Sequence, residues 1–331
     1  MRNKFRQTIQ DLVYQLQAID CNRLPISEYN KRYIGNLKPA LSYYMKIYAS
    51  CLQKGIQATG LSLPAITFID YGGGSGFLSM LAKQVGVGQV IYIDLNPDSV
   101  ETIRILKEQT GIGPDVILHG NSDTLAAWCT ENDIKPQLLI ATDLIEHVYD
   151  LSAFFSDLIA INNRMQMLFT TASTPFNPYV KRRLHRLMTA CEKGTAVSPN
   201  YYTLRLQYIK KDFPGIPSVE AEEIARKTRG LTFPDIRKAI ETGSYPTLED
   251  AFNTCDPRNG NWTERILPIH VYRSLVRPSG YLVNVEKGFY NTDRNNPIAG
   301  FISKSINCLI GITGKAGFLL APFIILHLRR K

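Results

Sequence analysis

The sequence predicts an α/β fold, in which a mostly parallel β-sheet carries helices on both faces. Three observations lead to this prediction. Residues 66–94 have the pattern of a strand, a glycine-rich turn, a helix and a second strand. Apolar runs of strand length alternate with helical runs across residues 64–175. The chain has 331 residues, of which 44% are hydrophobic, enough for a substantial core. Sheets of this kind bind ligands at the carboxyl ends of their strands.

The glycine-rich turn comes first because the other candidate residues are placed relative to it. Four glycines fall within residues 72–76, directly after the apolar run that ends at Tyr71. Glycine tolerates positive φ and allows a ligand to approach the backbone closely. The predicted helix that follows, Phe77–Val85, would offer unpaired N–H groups and the positive end of its dipole. The turn is therefore predicted to cradle a polar ligand.

The second strand of this unit, residues 89–93, leads into Asp94. A carboxylate at this place can accept hydrogen bonds from both hydroxyls of a ribose. The dinucleotide pattern G-x-G-x-x-G is absent, because the positions that it requires are occupied by Phe77 and Ser79. The spacing therefore argues against a dehydrogenase.

The chain instead contains the pattern D-x-G-x-G-x-G, formed by Asp70, Gly72, Gly74 and Gly76. This pattern resembles the first motif of the class I methyltransferases, Rossmann-like enzymes that use S-adenosylmethionine (SAM). The resemblance implies that Asp70 faces the methionine end of SAM. It also implies that the glycines, Asp94 and the adjacent Leu95 bind this cofactor.

A second motif follows the apolar run of residues 137–142. It begins at Asp143 and continues through Glu146 and His147 as D-x-x-E-H-V. The series resembles the methyltransferase subgroup that includes the ubiquinone-biosynthesis O-methyltransferases. Between the two motifs, Asn121 and Ser122 follow a predicted strand where the family commonly places an acidic residue near the adenine. Both are expected to contact SAM, as is Asp143.

Methyl transfer from a sulfonium requires a nucleophile held against the methyl group, with help from a base. His147 is the candidate base for a hydroxyl nucleophile, and Glu146 is the second catalytic candidate. The alternative is that His147 caps the next helix or bonds a backbone group. Asp143, Glu146 and His147 also suit a divalent ion such as magnesium. The metal-free route is favoured, because Asp143 is also expected to contact SAM and no fourth ligand can be placed.

The chain divides into three predicted parts. Residues 1–63 carry apolar positions at helical spacing and are predicted to form an N-terminal helical cover. Residues 64–175 and 264–331 are predicted to form the SAM-binding domain. Residues 176–263 are polar and helical without a strand candidate, and are predicted to be an inserted subdomain that shapes the substrate pocket.

The C-terminal region should complete the sheet. Residues 318–328 form an apolar run of about 11 residues, which is too short for a bilayer span of about 20. We predict that this run is a strand, and the family resemblance implies an antiparallel pair with residues 281–290. The connection between them includes an amphipathic stretch, residues 298–312, for which peripheral contact with a membrane stays open.

Charge and composition leave several partners open. A net charge of +9 indicates an anionic partner or simply a solvated basic surface. The first hypothesis is O-methylation of a small molecule or glycan, including lipid-linked ones; the others are RNA 2′-O-methylation and a non-catalytic SAM-fold binding protein. No stable protein partner is inferred. The basic face that could hold an anion consists of Lys181, Arg182, Arg183, His185 and Arg186.

Two further expectations concern compartment and substrate contact. The six scattered cysteines and the missing apolar leader indicate reduced thiols in the cytoplasm. The polar loop that ends at Trp262 could stack this ring on a substrate, or the ring could pack inside the protein.

Overall fold

The computed structural model describes residues 2–195 and 199–330. Within these ranges the chain forms seven strands: β1 (Thr67–Tyr71), β2 (Gln89–Asp94), β3 (Val116–His119), β4 (Leu138–Thr142), β5 (Gln166–Thr171), β6 (Tyr281–Lys287) and β7 (Ile324–Arg330). They form one sheet in the order β3-β2-β1-β4-β5-β7-β6. Strands β1 to β5 run parallel, whereas β7 runs antiparallel to both β5 and β6. The predicted mostly parallel sheet with an antiparallel end pair is confirmed.

The α-helices of the described ranges are α1 (Arg2–Ala18), α2 (Glu28–Leu37), α3 (Leu41–Thr59), α4 (Phe77–Val85), α5 (Pro97–Thr110), α6 (Ser122–Glu131), α7 (Leu151–Ile161), α8 (Pro178–Lys193), α9 (Tyr201–Asp212), α10 (Ser218–Lys227), α11 (Phe233–Thr242), α12 (Ile269–Val276) and α13 (Pro297–Ile312). Helices α1 to α5 pack against one face of the sheet, and α6, α7 and α12 pack against the other. Side chains of a strand alternate between faces, so Phe68 joins the first core and its neighbour Ile69 the second.

The helices of residues 176–263 form a small core of their own. Ile209, Ala221 and Ile236 bring α9, α10 and α11 together. Arg205 is buried there, and its charge is compensated by Glu192 at 2.7 Å and by the Ala225 carbonyl at 3.0 Å. The assignment of this region as an inserted substrate subdomain remains a proposal.

The structure differs from the sequence prediction at three elements. Helices α2 and α6 were not predicted, and each begins at a polar residue whose side chain caps it, Ser27 and Asn121 respectively. The last strand was predicted to begin at residue 318, but β7 begins at Ile324. Pro322 lacks the N–H that a central strand would donate, and residues Gly314–Leu319 form a 3₁₀ turn instead.

In residues 2–195 and 199–330, no helix combines the length and the apolar character needed to cross a bilayer. All six cysteines of the sequence lie in these ranges and are free thiols. Five of them are buried and Cys308 is exposed.

Candidate active site

A cleft of about 910 Å³ lies at the carboxyl ends of β1, β2 and β4. The second motif forms its opposite wall, and α2 contributes Tyr29 to its rim. The sequence-predicted site residues that line it are Gly72, Asp94, Leu95, Asn121, Ser122, Asp143 and His147. The predicted residues Asp70, Gly74, Gly76 and Glu146 are not among its lining residues. The structure therefore brings both motifs together at one cleft, but not with every residue exposed to it.

The glycine turn needs glycine at Gly72 and Gly76 for different reasons. Gly72 has φ of 65°, and a Cβ there would lie 1.9 Å from Leu144 of the second motif. Gly76 has φ of 74° at the N-terminus of α4, and a Cβ there would lie 2.2 Å from Ile103 on α5. The first glycine lets the cleft walls approach, and the second lets two helices pack.

Asp94 is fixed by backbone donors on both sides. Its Oδ2 accepts a hydrogen bond from the Gly74 N–H at 2.9 Å, and its Oδ1 accepts one from the Asn96 N–H at 2.8 Å. A carboxylate oxygen can accept a second hydrogen bond, so this one can still receive hydroxyl groups from the cleft. Leu95 beside it is 71% exposed although it is apolar. A fixed acceptor next to an apolar side chain suits a ribose that carries a base.

Asn121 and Ser122 are held at the start of α6. The Asn121 side chain accepts a hydrogen bond from the Thr124 N–H at 3.2 Å, and the Ser122 hydroxyl donates to Asp157 at 2.6 Å. The Asn121 side chain thus caps α6, and Asn121 also lines the cleft. An acidic group, Asp157, lies behind Ser122 in the cleft wall.

Asp70 lies beneath the turn and is only 1% exposed. Its Oδ2 accepts hydrogen bonds from the Ser79 N–H at 2.9 Å and from the Ser79 hydroxyl at 2.7 Å. Burial raises the pKa of Asp70 to about 7, against the opposing effect of these bonds. In this structure its carboxylate ties β1 to the first turn of α4.

The rim of the cleft includes residues that the sequence analysis did not name. Tyr29 and Tyr33 stack on each other along α2, with ring centroids 6.3 Å apart. The Tyr33 hydroxyl would be 3.4 Å from a Cβ placed at Gly74, so α2 lies directly over the glycine turn. The sequence contains an indication of α2, because Ser27 can cap a helix and the two tyrosines are four residues apart.

One ring nitrogen of His147 already forms a hydrogen bond within the protein. Its Nδ1 lies 2.7 Å from the carbonyl oxygen of Trp262. A carbonyl can only accept, so Nδ1 carries the proton in this bond. In the neutral ring, Nε2 is then the nitrogen that can accept a proton, and His147 lines the cleft. The predicted backbone bond and the predicted base are therefore compatible in one residue.

Glu146 is 2% exposed and is not among the residues that line the cleft. Its Oε2 has no hydrogen-bond partner. Burial raises the pKa of Glu146 well above its usual value, and the nearby Asp143 and Glu264 raise it further. Of the three residues considered as metal ligands, Asp143 and His147 line the cleft and Glu146 does not. Among the described residues, no three His, Cys, Asp or Glu side chains converge as a metal-binding group.

The backbone at Asp143 has an unusual conformation. Asp143 has φ of 49°, in the left-handed region, and its N–H donates to the Thr170 carbonyl at 3.1 Å. The residues Ile145–His147 then form a 3₁₀ turn. The backbone from Asp143 to His147 is therefore not a regular α-helical turn, in which residues i, i+3 and i+4 would lie on one face.

Trp262 packs inside the protein, which was the alternative given for it. It is 3% exposed, and its ring stacks on Tyr149 with centroids 5.9 Å apart. The guanidinium of Arg265, a residue of the same segment, lies 4.5 Å from the centroid of the Trp262 ring. This packing holds the carbonyl that binds His147. Residues 259–261 of the same loop line the cleft.

A second cleft of about 590 Å³ adjoins the first. Tyr149 and Asp150 line both clefts. Lys238 of α11 and Arg265 add positive charge to the second cleft, and Glu249 adds negative charge. The predicted insert therefore forms part of a polar space next to His147.

The predicted basic face on α8 is partly engaged within the protein. Lys181 and His185 both contact Asp250, at 2.9 Å and 3.0 Å. Arg182, Arg183 and Arg186 are exposed. Three guanidinium groups thus remain at the surface from the five basic residues that were proposed to hold an anion.

Comparison with known proteins adds a partial match. No family model matches the chain. It is 30% identical over 110 residues to a ribosomal protein L11 methyltransferase from Pectobacterium carotovorum subsp. carotovorum, covering 33% of this chain and 34% of that protein. It is 38% identical over 77 residues to one from Burkholderia mallei, covering 22% and 26%. The chain thus spans about a third or less of the length of these relatives.

Solved structures overlap more widely but loosely. A SAM-dependent methyltransferase from Mesorhizobium loti is 13% identical and covers 84% of this chain and 96% of its own, with a TM-score of 0.43. Magnesium protoporphyrin IX methyltransferase from Synechocystis with bound SAH is 13% identical and covers 100% and 98%, with a TM-score of 0.41. Overlaps this loose leave ligand and substrate open.

Proposed function

We propose that this chain is a class I SAM-dependent methyltransferase, which its motifs and its partial matches to methyltransferases support, and that it methylates a hydroxyl group of a small molecule or glycan. SAM is the cofactor that this family uses, and it supplies a methyl group activated by a sulfonium. The residues of the cleft account for binding on one side and for proton removal on the other.

The observation that carries the proposal is the arrangement of His147. The Trp262 carbonyl fixes the ring orientation and its tautomer, so that Nε2 is left as the proton acceptor. A hydroxyl nucleophile loses its proton during transfer, and a positioned imidazole is suited to take it. A thiol or a deprotonated amine has less need of such a base. Among these nucleophiles, a hydroxyl group is therefore the one for which a base at His147 has the clearest role.

The wall that contains the glycine turn, Asp94 and the start of α6 is proposed to hold SAM. Asp94 accepts the ribose hydroxyls, Leu95 and Asn121 contact the adenine, and Ser122 adds a polar group beside it. Gly72 and Asp143 contact the rest of the cofactor, while Gly74, Gly76 and Asp70 act by shaping the turn. The fit is supported by the Asp94 carboxylate, which the Gly74 and Asn96 N–H groups fix in place.

The acceptor is proposed to be small and polar. The main cleft is near the upper end of the usual range for ligand pockets, about 300 to 1,000 Å³, so it has room for a cofactor with a modest acceptor. The adjoining cleft contributes Lys238, Arg265 and Glu249, which suit a hydroxylated or charged molecule. RNA is less favoured, because Asp250 occupies two of the basic groups expected to contact phosphates.

The test is a methylation screen with radiolabelled SAM on separated small-molecule, RNA and protein fractions of a cell extract. We expect label in the small-molecule fraction, and we expect His147→Gln to abolish it. His270→Gln is the matched control, because His270 is an exposed histidine on α12. Label in RNA or protein alone would overturn the proposed acceptor. SAM binding without any labelled product would favour a non-catalytic binding protein.

A further inference from the structure

Helix α13 presents its apolar stripe to solvent. Three of its side chains, Ile298, Phe301 and Ile312, are 71%, 71% and 73% exposed. The side that faces the protein carries the small residues Gly300 and Ser303, together with Ile310. An ordinary surface helix buries its apolar stripe and exposes its polar one, so this helix has the reverse arrangement.

The exposed apolar surface extends beyond α13 into the following 3₁₀ turn, Gly314–Leu319. Gly317 approaches the Ile310 carbonyl so closely that a Cβ would lie 2.4 Å from it, which places the turn directly against the helix. We call the combined feature the C-terminal apolar surface; it consists of Ile298, Phe301, Ile302, Leu309, Ile312, Leu319 and Leu320, each at least 39% exposed. An exposed apolar patch of this extent marks an interaction surface.

The charges in this part of the chain have one sign. No aspartate or glutamate follows Asp293 in the sequence. Three basic residues around the surface, Arg294, Lys304 and Lys315, are exposed. A second copy of the chain would bring the same cations against each other, which disfavours pairing through this surface. Cations beside apolar side chains instead match an anionic lipid surface.

The surface lies at the edge of the sheet that carries the cleft. Its segment leaves β6 at Lys287 and enters β7 at Ile324, and these two residues are paired in the sheet. Ile324 also pairs with Thr171, at the carboxyl end of β5. The segment that carries this surface therefore leaves and re-enters the sheet at the end of the strands where the cleft lies.

We propose that the C-terminal apolar surface docks the protein on an anionic lipid bilayer. Docking is peripheral: the apolar side chains of α13 enter the interface, and Lys304 and Lys315 contact the headgroups. This inference depends on α13 and the turn after it, and it stands whether or not the chain transfers methyl groups. It places an acceptor that is dissolved in or anchored to the bilayer at the end of the sheet that carries the cleft.

Binding is tested with vesicles of phosphatidylcholine alone and vesicles that also contain phosphatidylglycerol. We expect sedimentation with the mixed vesicles. Phe301→Ser combined with Ile312→Ser should weaken binding by about a hundredfold, because less apolar surface is transferred from water to the bilayer. Lys304→Gln combined with Lys315→Gln should weaken it by about thirtyfold. Val219→Ser is the control, since Val219 is 82% exposed on α10. All variants should keep the wild-type melting temperature.

A spectroscopic measurement locates the contact. Cys308 is exposed on α13 and the other five cysteines are buried, so a polarity-sensitive dye can be attached there in the unmodified chain. We expect its emission to shift to the blue when mixed vesicles are added. No shift and no sedimentation would overturn the proposal. A lipid-free dimer that Phe301→Ser with Ile312→Ser converts to monomers, by light scattering, would overturn it in favour of a second copy.

Discussion

The two walls of the cleft are built in different ways. On the wall proposed to hold SAM, called the cofactor wall here, the glycine turn and Asp94 belong to one βαβ unit, and Gly74 contacts an aspartate only 20 residues later. On the wall proposed to remove the proton, called the catalytic wall, His147 depends on a carbonyl 115 residues away, which stacking of Trp262 on Tyr149 holds in place. The first wall is therefore local and the second depends on tertiary packing. We expect substitutions to affect SAM binding and methyl transfer separately.

The largest expected effect is on the catalytic wall. His147→Ala should lower kcat by about 10² to 10⁴, because the proton acceptor is lost. The dissociation constant for SAM should stay unchanged, since the cofactor wall is intact. Single-turnover kinetics with the acceptor found by the screen, together with calorimetric titration of SAM, checks both values. Full activity of this variant would break the division between the walls.

A smaller effect is expected at Glu146, behind the catalytic wall. Its pKa is raised in the folded protein, so between its unfolded pKa and its folded pKa the native state binds more protons than the unfolded state. Stability conferred by the protonated carboxyl is present at low pH and is lost as pH rises through this range. Glu146→Gln should reduce the slope of stability against pH by at most about 1.4 kcal/mol per pH unit and leave the part that the raised pKa of Asp70 contributes.

Chemical denaturation between pH 5 and pH 8 measures this slope. The same substitution at the exposed Glu101, whose side chain is 59% exposed, is the control. Because Glu146 does not line the cleft, kcat of Glu146→Gln should stay within about tenfold of the wild-type value. Loss of a general base would lower kcat by at least about 10². A loss as large as that of His147→Ala would instead make Glu146 catalytic.

The smallest effect is expected from chelation. Glu146 does not line the cleft, so Asp143 and His147 are the members of the D-x-x-E-H-V motif that a metal ion in the cleft could reach. Two protein ligands seldom hold a divalent ion without help from the substrate. Activity should therefore survive exhaustive treatment with EDTA. Activity that chelation abolishes and magnesium restores would show that the catalytic wall works through a metal ion.

The same contrast explains how much could be predicted from the sequence. The strand, the turn, α4 and Asp94 were predictable because a single continuous stretch contains their hydrogen bonds. The role of the Trp262 carbonyl was not, because a backbone atom in a distant loop has no sequence motif. The left-handed φ of Asp143, three residues before Glu146, was not predictable either, because a non-glycine residue adopts it rarely. Helix α2 lies within the predicted N-terminal helical cover, but its bounds, of which Ser27 caps the first, were not predicted.

The most direct test of this account is calorimetric titration of SAM, its demethylated product and NAD into the wild-type protein and Asp94→Ala. Wild type should bind SAM and the demethylated product, and it should not bind NAD. Asp94→Ala should bind SAM more weakly by about 1.5 to 3 kcal/mol, because charge-assisted hydrogen bonds to the ribose are lost. Unchanged SAM affinity in Asp94→Ala, or NAD binding by the wild type, would contradict the assignment of the cofactor wall.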